Sequence, residues 1–378
     1  MNGVIIGALV ALGAMQQTDT TFALEGAELL GVETLGGSIA VDVWDRDEVR
    51  VRAEHSTRTF IEIERRRGRI EVESEARRGP ANLVDFHITV PRSLSLDLQG
   101  QYGDVVVEGS DGAIEVETLR GDVTIRGGRG NVRVANTIGN ILVEGAAGEI
   151  DVESTAADIR VVNSSGRILA ETTGGTVVLE NVTASSVDVG SVGGRVHYDG
   201  TFQPGGTYFF GAHGGSITIV VPDGAGMTLS LASLHGSITS NLSGEIESFR
   251  SGERHQLEIG GGGAFVEAET YGGRIRVVRP GTEGSQAPSA GRADAANGEA
   301  AWRGEADGHG MAAWHREGAR HGEAAWHRGV NRHGDGGAPS VATLVSPQVE
   351  FSVWNATETT LSTNVELGRV VAAATIRR

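Results

Sequence analysis

The sequence predicts an all-β protein: a parallel β-solenoid wound from two-strand coils of eighteen residues, preceded by a small antiparallel β cap. Three observations predict it. Residues 103 to 183 repeat every nine residues without a slip, a period that any account of the fold must explain first. Each unit carries Val or Ile at its third place, and eight of the nine open on Gly, with Ala157 the exception. The seventh place alternates in type from one unit to the next, which doubles the period.

In register the units are GDVVVEGSD, GAIEVETLR, GDVTIRGGR, GNVRVANTI, GNILVEGAA, GEIDVESTA, ADIRVVNSS, GRILAETTG and GTVVLENVT. Side chains two apart on a strand share a face, so the third place (Val105, Ile114, Val123 and on) and the fifth (Val107, Val116, Ile125 and on) point together into a core. The fourth and sixth places, such as Glu115, Glu117, Arg133, Asp151 and Glu153, point out. Gly109, Gly127, Gly145, Asn163 and Asn181 hold the seventh place in one set of units, and Thr118, Asn136, Ser154 and Thr172 in the other. Two kinds of corner imply two strands per coil, stacked at about 4.8 Å. A coil buries about four apolar side chains at roughly 1.5–3 kcal/mol each. Ordering its backbone costs about 1–2 kcal/mol per residue. It therefore folds only against its neighbours.

Taken in order, residues 1–23 read as a secretory signal. The apolar run Val4 to Met15 is too short to span a bilayer, and cleavage after Ala14 or after Ala23 both fit. Residues 24–100 hold longer strands of period two, such as GGSIAVDVW, EVRVRAEH, FIEIERR and VDFHITV, read as the antiparallel cap with Trp44 as its core anchor. The solenoid occupies 101–280, its last coils broadened by an insertion around Pro204 and Tyr208–Phe210. Residues 281–340 read as a disordered linker rich in Gly, His and Trp. Residues 341–378 resume strand patterning, as VATLV, QVEFSVW, TLSTNV and RVVAAATIRR, able to cap or lengthen a sheet.

Composition narrows function. A formal net charge of −17 offers no offset to phosphate repulsion and argues against a nucleic-acid partner. With 0 Cys there is neither a disulfide framework nor thiolate chemistry. Once the signal is removed, no transmembrane span is expected.

The segments GGSIAVDVWDRDEVRVRAEH and ITVPRSLSLDLQ, with the repeated GDVxVEG, GxIxVET and GDVTIRG units, resemble the bacterial "putative adhesin" domain of unknown function over about residues 24–280. That resemblance implies an exported envelope β-solenoid with a binding or scaffolding role, and brings no catalytic residues.

The nine-residue unit of calcium-binding rolls needs further Gly and Asp places that are missing here. One edge does stack Asp104, Asp122, Asn140, Asp158 and Thr176, read as caps on their own turns in preference to a cation site. One outer face should show Val106, Thr124, Leu142, Arg160 and Val178 in column, beside Glu108, Arg126, Glu144, Val162 and Glu180. The other should show Glu115, Arg133, Asp151 and Leu169 beside Glu117, Ala135, Glu153 and Glu171. Alternating signs along these columns read as cross-strand pairs, and the apolar members as scattered surface residues. In the linker a twelve-residue repeat brings Trp302, Trp314 and Trp326, with His309, His315, His321, His327 and His333 every six residues. That spacing puts the histidines on no common helical face, so a spacer is expected in place of a metal site. No Ser/His/Asp order, phosphate loop or zinc helix appears. The expectation is an exported, non-catalytic binding, adhesion or scaffold module at the periplasm or cell surface, with no cofactor, no metal and an envelope polymer or protein as ligand. The alternatives are a self-associating solenoid like the bactofilins and, third, a carbohydrate-active enzyme.

Overall fold

The structure, a computed structural model, describes residues 8–12, 15–76, 83–243, 247–282, 284–288, 313–317, 325–329, 360–366 and 369–375. The chain divides into residues 1–304 and 305–378. In the first unit every described element is a strand, and the strands join in one 26-stranded sheet.

The repeat sets the pairing. Val105 lies beside Val123, Val123 beside Ile141, Ile141 beside Ile159 and Ile159 beside Val177, all parallel. Between them in sequence, Ile114, Val132, Ile150, Ile168 and Val187 form a second parallel ladder. Alternate units therefore build two walls. The strands Val177–Ser191 and Val196–Ala212 are long enough to run through both. The inward columns of both walls are buried and belong to one apolar core. β-Branched residues suit it, because a pleated surface with close neighbours on both sides rewards stiff, compact side chains.

The seventh place explains the two corners. In the first wall Gly109, Gly127 and Gly145 have φ of +77°, +109° and +70°, and Asn163 and Asn181 follow at +53° and +50°. Gly and Asn are the residues that reach this left-handed region at least cost. In the later coils of the second wall a hydroxyl at this place ties coil to coil, whereas Thr118 Oγ1 is buried without a partner. Thr172 Oγ1 donates to the Ala157 carbonyl (3.2 Å) and accepts from the Gly175 N–H (3.3 Å). Ser191 repeats the arrangement on Gly175 and Gly194 at 2.8 and 2.9 Å. Thr270 and Ser233 repeat it again beyond the regular repeat.

The solenoid begins earlier than expected. Leu29–Gly36 and Ile39–Trp44 pair parallel with Ser95–Tyr102 and Val105–Ser110, so they are coil strands themselves. The coil made by Arg69–Ala76 and Asp85–Pro91 sits on their other side, also parallel. Antiparallel pairing is confined to the rim: Ala8–Leu12, Met15–Ala23 and Glu48–Ser56 extend the first wall, and Thr59–Arg66 extends the second. Period-two strands pair equally well either way, which is why residues 24–100 read as antiparallel throughout. The far end makes the same exchange. Ala264–Thr270 and Arg274–Val278 insert beneath Met227–Ser233 and Ser237–Ser240, and Glu247–Phe249 and Arg254–Ile259 close the two walls antiparallel. At both ends, one coil is thus out of sequence order.

Trp44 is half-buried and lies outside the core. Its Nε1 donates to the Glu48 carbonyl at 2.8 Å, and the Arg46 guanidinium carbon lies 5.0 Å from the ring centroid. It clamps the hairpin turn where the sequence suggested a core anchor. The insertion after Asp199 does enter the core. Tyr198, Phe202, Tyr208 and Phe210 pack ring against ring at 4.9–5.9 Å, with Tyr208 Oη donating to the Ala184 carbonyl at 2.6 Å.

In the second unit Ala313–Glu317 pairs antiparallel with Ala325–Gly329, and Thr360–Glu366 with Arg369–Thr375. Of the segment expected as linker, residues 281–282 and 284–288 are described in the first unit, and 313–317 and 325–329 here; its other residues, and the expected strands VATLV and QVEFSVW, lie outside the described residues.

Candidate binding surfaces

The edge column keeps its carboxylates occupied. Asp104 Oδ1 accepts the backbone N–H of Asp122 at 2.9 Å, Asp122 Oδ1 accepts that of Asn140 at 2.7 Å, and Asp158 Oδ1 accepts that of Thr176 at 2.7 Å. Asp85 does the same for Ser38 at 2.9 Å. Each side chain caps the next coil and not its own turn, as the sequence had suggested. A charged acceptor on a backbone donor contributes about 1.5–3 kcal/mol. Among the described residues no cluster of three or more His, Asp or Glu is placed to hold a metal ion.

The outer columns fall in the expected register. On the first wall Glu108, Arg126 and Glu144 form a ladder, with Arg126 Nε 3.4 Å from Glu144. Arg160 pairs with Glu180. Exposed pairs of this kind are worth about 0–1 kcal/mol, so the ladders tune register more than stability. Val178 is buried, and Val106, Leu142 and Val162 are half-buried. His197, beside Val178 and Thr218, is only 2% exposed and its Nε2 has no partner. Burial, and secondarily the Arg160 charge, push its pKa down to about 4.

The second wall is acidic. Glu71, Asp97, Glu115 and Asp151 share one outer column, and Glu73, Glu33, Glu117 and Glu153 the next. Arg69 bridges Glu71 and Asp97, and Arg133 lies 3.7 Å from Asp151. Partial burial raises the pKa of Glu73, Asp151 and Glu153; neighbouring carboxylates reinforce this, while Arg133 opposes it at Asp151 and Glu153.

Most of the exposed apolar residues, Phe265 excepted, gather on one corner, which the sequence reading missed. Tyr102 and Ile138 flank Arg120 in register where the second wall turns into the first, and are 48% and 42% exposed. Leu119 (45%) adjoins them, and Leu83 (70%) reaches over Gly36, the register partner of Tyr102. Farther along the same corner Val192 is 50% exposed, and beyond it the His213 ring stacks on Tyr271 at 4.8 Å with His235 edge-on at 4.9 Å. The signal was present: Tyr102, Arg120 and Ile138 stand eighteen apart in the sequence.

No helix among the described residues is long and apolar enough to cross a membrane, which says nothing of a membrane β-barrel. Residues 38–273 match the family model described as Toastrack DUF4097, a domain of unknown function, which bears out the resemblance drawn from the repeat. No curated protein matches the chain. Among solved structures, a "putative cell adhesion protein" from Clostridium sporogenes is 11% identical over 70% of this chain and 99% of its own, with a TM-score of 0.23. A "putative lipid binding protein" from Parabacteroides distasonis is 12% identical over 69% and 96%, with a TM-score of 0.30.

Proposed function

The chain belongs to the Toastrack DUF4097 family, and from that premise we propose that it is an exported, non-catalytic solenoid that presents a rigid binding or scaffolding edge in the bacterial envelope. Its repeating element is the eighteen-residue coil of two strands. One observation carries the proposal. Polar side chains such as Asp122 and Thr172 are taken up by coil-to-coil bonds, while apolar side chains stand exposed along one corner. Catalysis needs a few polar groups converging in a concave, water-excluding site. Here acids and bases are spread over flat walls, which suits recognition of an extended polymer or protein by shape. The charged rim strands Thr59–Arg66 and Arg254–Ile259 discourage end-to-end stacking and weigh against the filament reading.

The experiment is a binding screen of purified residues 15–378 against immobilised envelope polysaccharides, peptidoglycan and outer-surface protein fractions. Tyr102→Ser and Leu119→Asp are run beside the native protein. Saturable binding that both variants weaken, with unchanged melting temperatures and no product released from any polymer, is expected. Turnover lost on substituting a single acid pair, or filaments in micrographs of the pure protein, would replace this reading.

Export carries its own expectation. Residues 15–23 pair along their whole length with Glu48–Ser56, where Asp19 holds Arg50 at 2.6 Å and Thr18 meets His55 Nε2 at 2.9 Å. Processing after Ala14 keeps this strand; processing after Ala23 removes it. The mature protein is therefore expected to begin at Met15, and a mass that begins at Leu24 would contradict this.

A further inference from the structure

The strands that end the two walls are not equally protected. Thr59–Arg66 carries Glu62, Glu64, Arg65 and Arg66, Arg254–Ile259 carries Arg254 and Glu258, and Glu247–Phe249 is three residues long. Charge and shortness keep a sheet edge from pairing with another chain. Met15–Ala23 has neither guard. It runs nine residues in unbroken register with Glu48–Ser56 and holds no Pro, Lys or Arg. Its one charge, Asp19, is held by Arg50 of its own sheet at 2.6 Å.

This edge already accepts a strand. Ala8–Leu12 pairs antiparallel with residues 15–19, and processing after Ala14 removes it. The inward column of the exposed strand is also unusual. Thr18, Thr20 and Phe22 are buried, and their register partners Ala53, Val51 and Val49 lie wholly in the core. Thr18 meets His55 Nε2, whereas the Thr20 hydroxyl, on a residue only 8% exposed, has no partner. A buried hydroxyl costs free energy until something satisfies it.

A second copy of the same strand supplies that partner when Thr20 faces Thr20 across a two-fold axis. Asp19 then faces Thr21, Thr18 faces Phe22 and Gln17 faces Ala23, so inward residues meet inward ones and no like charges meet. Facing threonines hydrogen-bond across strands. The charged rim does not interfere. Beyond the coil of Arg69–Ala76 and Asp85–Pro91 the first wall adds Glu48–Ser56 and then Met15–Ala23, but the second adds only Thr59–Arg66. With strands about 4.8 Å apart, joined first walls leave the two Thr59–Arg66 strands about 14 Å apart. That exceeds the roughly 8–10 Å over which exposed charges act through physiological salt.

We propose that Met15–Ala23 pairs antiparallel with the same strand of a second copy, two-fold symmetric about Thr20, and joins two first walls into one continuous sheet. The proposal rests on the processing after Ala14 given above. A two-fold contact of this kind is closed and stops at two copies.

The test follows residues 15–378 by size-exclusion chromatography with light scattering over a range of concentrations, beside Thr21→Glu, Thr20→Cys, Thr21→Cys and Tyr102→Ser. A reversible dimer is expected. Thr21 is exposed and faces Arg50 in its own sheet, so Thr21→Glu should fold normally, with the melting temperature of the dilute protein unchanged. It sets a like charge opposite Asp19 twice across the axis and should weaken the dimer about tenfold. The native chain has 0 Cys, so mild oxidation reports register: Thr20→Cys should give a covalent dimer, and Thr21→Cys, out of register with itself, far less. Tyr102→Ser should change nothing. A monomer at every concentration would leave the edge to a strand of another protein and overturn the proposal. So would a dimer indifferent to Thr21→Glu, one broken by Tyr102→Ser, equal cross-linking of the two Cys variants, or open-ended filaments. The mass of the exported chain tests the processing site alone, so premise and pairing fail separately.

Discussion

Gly139 and Gly145 open and close the turns around one strand, Ile141–Glu144, yet replacing each by Ala should have very different consequences. A Cβ on Gly139 would lie 2.1 Å from the Gly121 carbonyl oxygen and 2.6 Å from its carbon, on a backbone already at φ +132°. The obstacle is main chain of the neighbouring coil, held by its own ladder, so neither coil can yield alone. Backbone strain of about 1–3 kcal/mol and overpacking of about 1–3 kcal/mol together predict a loss of roughly 2–6 kcal/mol. Gly145, at φ +70°, has nothing within 4 Å of its would-be Cβ. Gly145→Ala should cost only the left-handed conformation, about 1–2 kcal/mol, partly offset by a less flexible unfolded chain. Gly145→Asn should cost less still, because Asn163 and Asn181 occupy the same place in the next two coils and join side chain to side chain at 2.6 Å. Urea unfolding midpoints, compared at equal m-value, measure all three. If Gly139→Ala came within about 1 kcal/mol of Gly145→Ala, the close approach of successive coils at this corner would be wrong.

Other outcomes follow from single contacts. Asp122→Ala should lose about 1.5–3 kcal/mol, since it leaves the Asn140 N–H without its charged acceptor; millimolar calcium should leave the native melting temperature unchanged, and a rise would restore a cation to this column. His197 titrates near 6.5 when unfolded but only at about 4 when folded. Its neutral ring is no burden above pH 6.5, and stability should then fall by about 3 kcal/mol between pH 6.5 and 4. The raised carboxylates Glu73, Asp151 and Glu153 act in the opposite sense on acidification, so the measure is the native protein minus His197→Gln across that range; a flat difference would place the ring in water. Ile141→Ala, at a fully packed place in the core column, should cost about 2–5 kcal/mol; a loss under 1 kcal/mol would mean the walls are not in contact there.

What could be read in the sequence was what repeats. Val105 to Val177 fixed the inward columns, and the alternation of Gly or Asn with Thr or Ser foretold two corners of different chemistry, because left-handed backbone and hydroxyl latches each select few residue types. The ends were harder. Leu29–Gly36 and Arg69–Ala76 carry the same period-two pattern whether neighbours run parallel or antiparallel, and nothing local reveals that a coil is inserted out of order. The Asp104 column was found, but its partners one coil on belong to no local turn motif. The apolar corner at Tyr102, Leu119 and Ile138 escaped because each residue is isolated in its own unit and only the stacked coils bring them together.

The central claim is that residues eighteen apart are neighbours while residues nine apart stand on opposite walls. The native chain has 0 Cys, so introduced pairs report cleanly. Thr124→Cys with Leu142→Cys occupies register partners on the outer face of the first wall, within the 4.4–6.8 Å between Cα atoms that a disulfide spans. Thr124→Cys with Arg133→Cys places the second thiol on the other wall. Mild oxidation followed by mass spectrometry should join the first pair within a chain and leave the second as free thiols. Closure of the second pair, or failure of the first, would contradict the solenoid.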